Sequence, residues 1–434
     1  GKRTKEEKLI PLILDPSGRE ITAIDVSAAI LRYLKKCAEQ YLGCEVKNVV
    51  VTVPAYFKEI ARDDTIMAAK MAGFSQVRTI EEPVAAAMHY GLSKSATKKI
   101  VIVLDSGGGT TDASAMSVNG NKIVVIITYG DSVGGTNYDE YIYNAACTES
   151  KLKDLKTTGQ KDPGTFNENL YRCREGKEML SKREKVTIPL QAGGKRYSYE
   201  LTRKKFTKIC KEFDERFKTC CKRILNELEK KGQKADQVLL VGGNCRQFHV
   251  DSMVQEIFGI KASRDTNLDL VVAQGAAVWS TVYFGDKDQV IALGEHSYLS
   301  SDIEMKIVAA HAICVAARKS KNDPEEYNHE IVPANTPLPH EFERRFAPVD
   351  PASTSVTVKL LQGNDGKLSN DSTIIRKINV PIKPSDKDQD RIIVSGTYNE
   401  EGLLKLSITD ALTGKPVSDS FIHKPGITED KGNV

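Results

Sequence analysis

No apolar run in this sequence is long enough to cross a membrane, and the opening Gly-Lys-Arg-Thr-Lys-Glu-Glu-Lys is too charged for a signal peptide. Cys-x-x-Cys is also missing. The nine cysteines (Cys37, Cys44, Cys147, Cys173, Cys210, Cys220, Cys221, Cys245 and Cys314) are odd in number and have no framework spacing. A disulfide scaffold is thereby excluded, and reduced thiols filling core gaps in a cytoplasmic compartment are expected. The adjacent Cys220 and Cys221 point apart on a helix, which favours core filling over redox chemistry. An excess of one charge is lacking too. Lys plus Arg number 62 against 58 Asp plus Glu, so charge gives no reason to expect nucleic acid or an anionic membrane as partner. Both familiar nucleotide fingerprints are absent: none of the Gly-Lys pairs has the P-loop context, and Gly-x-Gly-x-x-Gly does not occur.

What is present is a glycine loop of another kind. The apolar run Ile100 to Leu104 leads into Asp105-Ser106-Gly107-Gly108-Gly109-Thr110-Thr111-Asp112. Glycines let backbone N–H groups turn inward and approach an anion closely. Thr110 and Thr111 supply hydroxyls, and Asp105 and Asp112 bracket the loop with the oxygen ligands that Mg²⁺ prefers. An ordinary hairpin turn also uses Gly-Gly. Three consecutive glycines with an acid on each side exceed what such a turn needs. Both P-loop and Rossmann glycines start a helix, whereas Ala113 to Val118 and Ile123 to Thr128 alternate as returning strands, so phosphates would be held by hairpin turns.

A chain of 434 residues with 40% hydrophobic content can form two or three domains with sizeable cores. Ile10 to Leu14 and Glu20 to Ala23 flank the turn Asp15-Pro16-Ser17-Gly18. Amphipathic spacing predicts a helix over Asp25 to Tyr41, and helices are also expected over Lys58 to Ala72, Val84 to Tyr90 and Tyr138 to Cys147. Val49 to Val53 and Val77 to Ile80 read as buried strands. A second glycine turn, Gly130 to Asp139, contains Gly134-Gly135. Asn167 to Ser181 is helical in composition, with Arg174, Lys177, Glu178 and Ser181 on one face, which a solvated face would also give. Val186 to Pro189 and Arg196 to Leu201 form a hairpin, and Thr202 to Lys231 reads as one long helix. The short strand Val238 to Val241 ends in Gly242-Gly243-Asn244-Cys245-Arg246, glycines at the carboxyl edge where ligands of α/β sheets bind. Ala273 to Tyr283 is a small-residue helix. After Phe284 helix signals stop. Met305 to Ala316, Val356 to Leu361, Ile374 to Val380, Arg391 to Tyr398 and Leu403 to Thr409 read as strands of a separate β domain.

Several segments taken in order resemble the 70-kilodalton heat-shock chaperones, the DnaK-type family. They are Val51 to Phe57 (Val-Thr-Val-Pro-Ala-Tyr-Phe), Glu82 to Ala87, the glycine loop, Gly134 to Asp139, Val241-Gly242-Gly243 with Arg246, and Gln274 to Ala277. The β region adds Asn335 to Pro339, Glu401 to Ser407 and Thr413-Gly414-Lys415. The resemblance implies an α/β actin-like (ribonuclease H-like) ATPase domain over 1–284, a linker over 285–294 and a β-sandwich substrate-binding domain over 295–434.

It also implies roles. Asp105 and Thr110 would face the γ-phosphate and attacking water, with Glu82 beside them in catalysis. Glu82, Asp105 and Asp112 would hold Mg²⁺, largely through water. Gly107, Gly108 and Gly109 with Thr111, and Gly134 and Gly135 opposite, would cradle the phosphates of ATP or ADP. Lys177 and Ser181 would reach the nucleoside, Gly242, Gly243 and Arg246 would frame adenine, and Asp269 would lie near the nucleotide. Arg174 and Glu178 depart from the glutamate and arginine of the family's nucleoside helix. The family's first phosphate loop and catalytic lysine precede the segment matching Gly1, and its helical lid follows the sandwich. In the implied cycle ATP docks the sandwich onto the nucleotide domain through the linker, and hydrolysis frees it to clamp an unfolded or extended peptide. Implied partners are those clients, a J-domain co-chaperone and a nucleotide-exchange factor. The alternative is a nucleotide-binding co-chaperone or regulator without useful hydrolysis.

Overall fold

A computed structural model of the chain describes residues 13–14, 17–94, 97–148, 162–264, 267–286, 288–293, 296–387, 389–400, 402, 404–414, 416 and 421–422. Asp15-Pro16 of the first turn, Lys287 and Gly294 of the expected linker, Glu401, Leu403 and Lys415 lie outside the described residues.

Strands β1 (Ile13–Leu14) and β2 (Glu20–Ile21) pair antiparallel ahead of helix α1 (Ala23–Leu42). A reciprocal cap begins α1: Thr22 accepts from the Asp25 amide, and Thr22 N donates to Asp25 Oδ2 at 2.8 Å. Gly43 ends it at φ 69°, a conformation that costs glycine little. β3 (Asn48–Val53) and β4 (Gln76–Glu81) pair in parallel across the connecting helix α2 (Glu59–Met71).

After α3 (Glu82–Lys94) come β5 (Lys99–Ser106), β6 (Thr111–Asn119) and β7 (Lys122–Asp131), an antiparallel meander. The run that starts β5 reads as continuous because both faces are covered. Ile100, Ile102 and Leu104 point into one core, and Val101 and Val103 into another, following the two-residue period of a strand. Helix α4 (Gly135–Thr148), helix α5 (Pro163–Leu180) and the hairpin β8 (Lys185–Ala192) with β9 (Lys195–Thr202) build a third core.

The single helix expected over Thr202 to Lys231 is two, α6 (Arg203–Ile209) and α7 (Lys211–Lys230), broken at Cys210 with φ −99° and ψ 6°. Buried Phe206 joins the third core while Phe217, Cys220, Cys221 and Ile224 lie on the β5–β6 face. Two differently placed cores bend one amphipathic pattern. β10 (Gln237–Val241) joins β5 in parallel, and α8 (Val250–Phe258) and α9 (Val271–Phe284) complete this half. α9 lies against α3 so closely that a Cβ on Gly275 would sit 1.8 Å from the Ala85 carbonyl oxygen.

Beyond α9 the chain does not leave at once. Residues 290–293, placed in the linker by the sequence, form β11 (Val290–Leu293) against β12 (His296–Leu299). β13 (Glu304–Lys306) then adds to β7 in parallel, giving the sheet order β10-β5-β6-β7-β13. The strand expected over Met305 to Ala316 is therefore divided between two sheets. β14 (Ile313–Ala317), β15 (Tyr327–Val332), β16 (His340–Phe346), β17 (Ser355–Gln362), β18 (Thr373–Pro381), β19 (Ile392–Tyr398), β20 (Leu404–Asp410) and β21 (Phe421–Ile422) follow. They form two four-stranded sheets, β15-β14-β17-β18 and β16-β19-β20-β21, around one core that includes Ile313, Leu360, Val394 and Ile408.

The β unit touches the first half through polar contacts. Tyr398 OH donates to Glu59 Oε1 at 2.7 Å, Glu59 N donates to Gln362 Oε1 at 3.0 Å, and Thr128 N donates to Asn335 Oδ1 at 2.8 Å. Next to β14, His311 Nε2 lies 2.9 Å from the Tyr56 carbonyl oxygen.

Candidate functional site

The register of β5 and β6 places Asp105 opposite Asp112, so the two acids flanking the glycines face each other across the hairpin. Val241 of β10 is level with Asp105 on the other side. Gly242 follows at φ 81°, and a Cβ there would lie 2.4 Å from the Ser106 carbonyl oxygen and 2.7 Å from Asp105 Oδ1. Only glycine fits that approach. The second glycine turn locks onto the first: Gly135 N donates to the Gly107 oxygen at 2.9 Å and Thr136 N to the Gly108 oxygen at 2.8 Å. A Cβ on Gly134 would meet the Gly108 carbonyl at 2.6 Å. Three glycine-bearing loops thus converge at one end of the central sheet.

Charge at this end is unbalanced. Asp112 is fully buried, its Oδ1 accepts from Tyr56 N at 2.8 Å, and its Oδ2 has no hydrogen-bond partner among the described residues. Burial pushes its carboxyl up to about 7 against the hydrogen bonds of the Tyr56 amide and the Thr110 side chain. Burial likewise raises Asp105 to about 6. Glu82, at the start of α3, rises to about 8 through burial first and then the like charges of Asp105 and Asp112. No set of three acidic, His or Cys side chains among the described residues forms a direct metal cage. Three neighbouring carboxyls with raised proton affinity and an unpartnered oxygen fit a hard divalent cation that keeps part of its water shell.

The lysine of the cleft is engaged from its own side. Lys177 of α5 lies 2.7 Å from Asp139 Oδ1 and donates to the Gly135 carbonyl oxygen at 2.7 Å, so it braces the second glycine turn. Asp139, raised by burial despite Lys177, was part of a sequence motif without a role of its own. Arg246 pairs with Asp269 at 2.7 Å near the solvent edge, and the field of Glu178 reaches it. Arg174 and Glu178 pair with each other at 2.9 Å.

Most of the expected residues fall into two groups, with Ser181 and Thr111 outside both. Glu82, Asp105, Thr110, Asp112, Gly107 to Gly109, Gly134, Gly135, Lys177 and Gly242 are connected by direct contact or by mutual electrostatic effect. Gly243 and Arg246 form a short 3₁₀ turn beyond Gly242, with Asp269 tied to Arg246. Ser181 ends α5, and its carbonyl accepts from Arg203. Both threonine hydroxyls were expected to face an anion, but strand alternation turns Thr111 inward, where it is 2% exposed and donates to the Val133 carbonyl at 2.8 Å. Thr110 is the half-exposed one. Tyr56, which ties the cleft carboxylate to the β unit, was given no role because its hydrogen bonds to Asp112 and His311 are made by its backbone. The half-buried pair Arg62–Glu81, at 2.7 Å and beside Glu82, was also missed; a charged pair at helical or strand positions looks like surface.

A family model described as Hsp70 protein matches residues 3–431 of the chain. Heat shock protein hsp-6 of Caenorhabditis elegans is 31% identical over 425 residues, covering 96% of this chain and 62% of that protein. The mitochondrial-type heat shock protein 70 of Encephalitozoon cuniculi is 32% identical over 424 residues, covering 95% of this chain and 67% of its own length. The chain therefore spans 62% and 67% of the lengths of these relatives.

Proposed function

The chain belongs to the Hsp70 protein family, and from that premise we propose that it is a nucleotide-gated chaperone module, with an actin-like ATP site in residues 1–284 and a peptide-binding sandwich in 295–434. One observation carries the proposal: three carboxyls, Glu82, Asp105 and Asp112, are held with raised proton affinity where three glycine loops meet. Gly107 to Gly109 and Gly134-Gly135 are the phosphate-side elements, and Gly242, Gly243, Arg246 and Asp269 the base-side ones. Bound Mg²⁺ would supply charge neutralisation for the phosphates, and ATP the transferable phosphoryl group. The chain's own contribution is placement. Tyr56 N fixes one oxygen of Asp112, Lys177 fixes the Gly135 carbonyl, and the interlocked loops exclude side chains from the anion's path.

Coupling to the sandwich runs through the segment after β3. Tyr56 bonds Asp112 by its amide and His311 by its carbonyl, and Glu59 meets Tyr398 and Gln362 of the β unit. Extended peptide clients, a J-domain co-chaperone and an exchange factor belong to the same proposal. So do a reducing setting, which nine free thiols support, and a cytoplasmic location. The test is release of a fluorescent extended apolar peptide: Mg-ATP is expected to accelerate release, and an unchanged rate contradicts the proposal. The pairing of Arg174 with Glu178 favours a second reading, a nucleotide-binding regulator without hydrolysis. Tight ATP binding without phosphate release in a single turnover would select it.

A further inference from the structure

Beneath the glycine loops lies a row of buried polar side chains with no part in the proposed nucleotide contacts. Ser106, Thr111, Asn244 and Gln247 are 0%, 2%, 9% and 5% exposed. Thr111 Oγ1 donates its one proton to the Val133 carbonyl at 2.8 Å. Its oxygen is then left to accept, so the 2.8 Å contact between Ser106 Oγ and Thr111 Oγ1 has Ser106 as donor. With its proton so committed, Ser106 Oγ accepts from Asn244 Nδ2 at 2.9 Å. Asn244 Oδ1 in turn accepts from Gln247 Nε2. Every donor in the series is fixed by the one before it. The outcome is a one-way chain, Gln247 to Asn244 to Ser106 to Thr111 to the Val133 carbonyl.

The route of this chain matters. It starts after the 3₁₀ turn Gly243–Arg246, passes under both ends of the Asp105–Asp112 hairpin, and ends next to Gly134 and Gly135. Ser106 directly follows Asp105, and Thr111 directly precedes Asp112. Buried hydrogen bonds in series polarise one another, and a broken link leaves its neighbours unsatisfied in a low-dielectric interior. Apolar side chains would fill these positions at lower desolvation cost, so packing alone does not account for them.

We propose that Gln247, Asn244, Ser106 and Thr111 are positioning residues that couple the base-side loop to the phosphate-side turn, setting the spacing of the two ends of the cleft as a unit. The inference rests on the nucleotide reading above for its biological meaning, and its test is built to fail separately from that reading.

Hydrogen exchange of the ligand-free chain is the first readout. Gly134 N and Gly135 N are reporters because they bond Asn137 Oδ1 at 2.9 Å and the Gly107 oxygen at 2.9 Å. Gln247→Ala is expected to speed exchange at these two amides about tenfold, although the change is made at the far end of the chain; Asn244 is left in place here because its Oδ1 lies 3.6 Å from where a Cβ on Gly135 would sit. Acceleration confined to residues 242–247 overturns the coupling. Thr111→Val, tested in the opposite direction, is expected to speed exchange at Cys245 and Gln247, and Thr111→Ser, which keeps the hydroxyl, is expected to restore slow exchange. If valine and serine behave alike, the chain of bonds is not the cause. Calorimetric titration with Mg-ATP is the second readout, with affinity expected to fall about tenfold in both Asn244→Ala and Thr111→Val and no further in the double variant. Additive losses contradict a single unit. If the substituted chains show the exchange coupling but the parent chain binds no ATP, the nucleotide reading is overturned and the coupling stands.

Discussion

Among the described residues two aspartates are sealed from solvent, Asp112 in the central sheet and Asp410 in the β unit, and the chain serves them in opposite ways. Asp410 Oδ2 accepts from Lys383 N at 2.9 Å and faces Arg391 Nη1 at 3.5 Å, while Oδ1 accepts from Leu412 N at 3.1 Å. Arg391 is itself 1% exposed and donates to the Pro351 carbonyl at 3.0 Å. Asp112 has only uncharged partners, the Tyr56 amide and the Thr110 side chain, an oxygen with no hydrogen bond among the described residues, and two further carboxyls as neighbours. Equal burial therefore separates two kinds of site. A buried acid that finds its cation within its own chain holds structure together, and one surrounded by like charge is matched to a cation from outside.

The comparison can be broken by substitution. Asp410→Ala strands Arg391 as a buried cation and is expected to cost about 3–5 kcal/mol in denaturant unfolding. A loss below about 1 kcal/mol would show that Arg391 has water access and that the contrast with Asp112 is false. The joint between the two regions comes next in size. Burial, with Arg62 and Lys58 nearby and the Tyr56 carbonyl opposing, lowers His311 from 6.5 to about 4. Its folded form prefers to stay neutral, so the contribution is complete above about pH 6.5 and is lost as pH falls toward about 4. The full loss is about 3 kcal/mol, read as the difference between the unfolding profiles of the parent chain and His311→Gln, because Asp105, Asp112 and Glu82, raised by burial, gain stability over the same fall in pH. Superimposable profiles would remove His311 from the pH dependence. The smallest effect has the opposite sign to the first. In the absence of divalent cations Asp112→Asn is expected to stabilise the chain by about 1–2 kcal/mol, since it removes an uncompensated buried charge. Destabilisation would place Asp112 with Asp410 among the structural acids.

Much of this was legible along the chain where the physics is local. The Ile100 to Leu104 run, the glycine hairpin and the strand before Gly242 follow from strand periodicity and from glycine's access to close backbone approaches. Contacts between distant segments were not. The break at Cys210 comes from helix α6–α7 serving two cores, which a continuous amphipathic pattern does not reveal. Met305 and Ile313 sit in one apolar stretch but in different sheets, because β13 completes the edge beside β7. His340–Phe346 was passed over as a strand since its exposed face carries Glu341, Glu343 and Arg345. Thr111 was assigned to the anion side because its face depends on which residue of the turn resumes the ladder. The polar row from Gln247 to Thr111 had a faint signal, hydrophilic residues at strand positions otherwise filled by apolar ones, and its meaning appears only when residues 106 and 244 meet.

The central claim, that the carboxyls at the loop junction are balanced by a cation arriving with a nucleotide, is tested most directly by calorimetric titration of the chain with ATP in the presence and absence of Mg²⁺. Binding is expected to strengthen at least about tenfold with Mg²⁺ and to lose that dependence in Asp105→Asn. Equal affinity with and without the metal, or Mg²⁺ dependence that persists in Asp105→Asn, would contradict it.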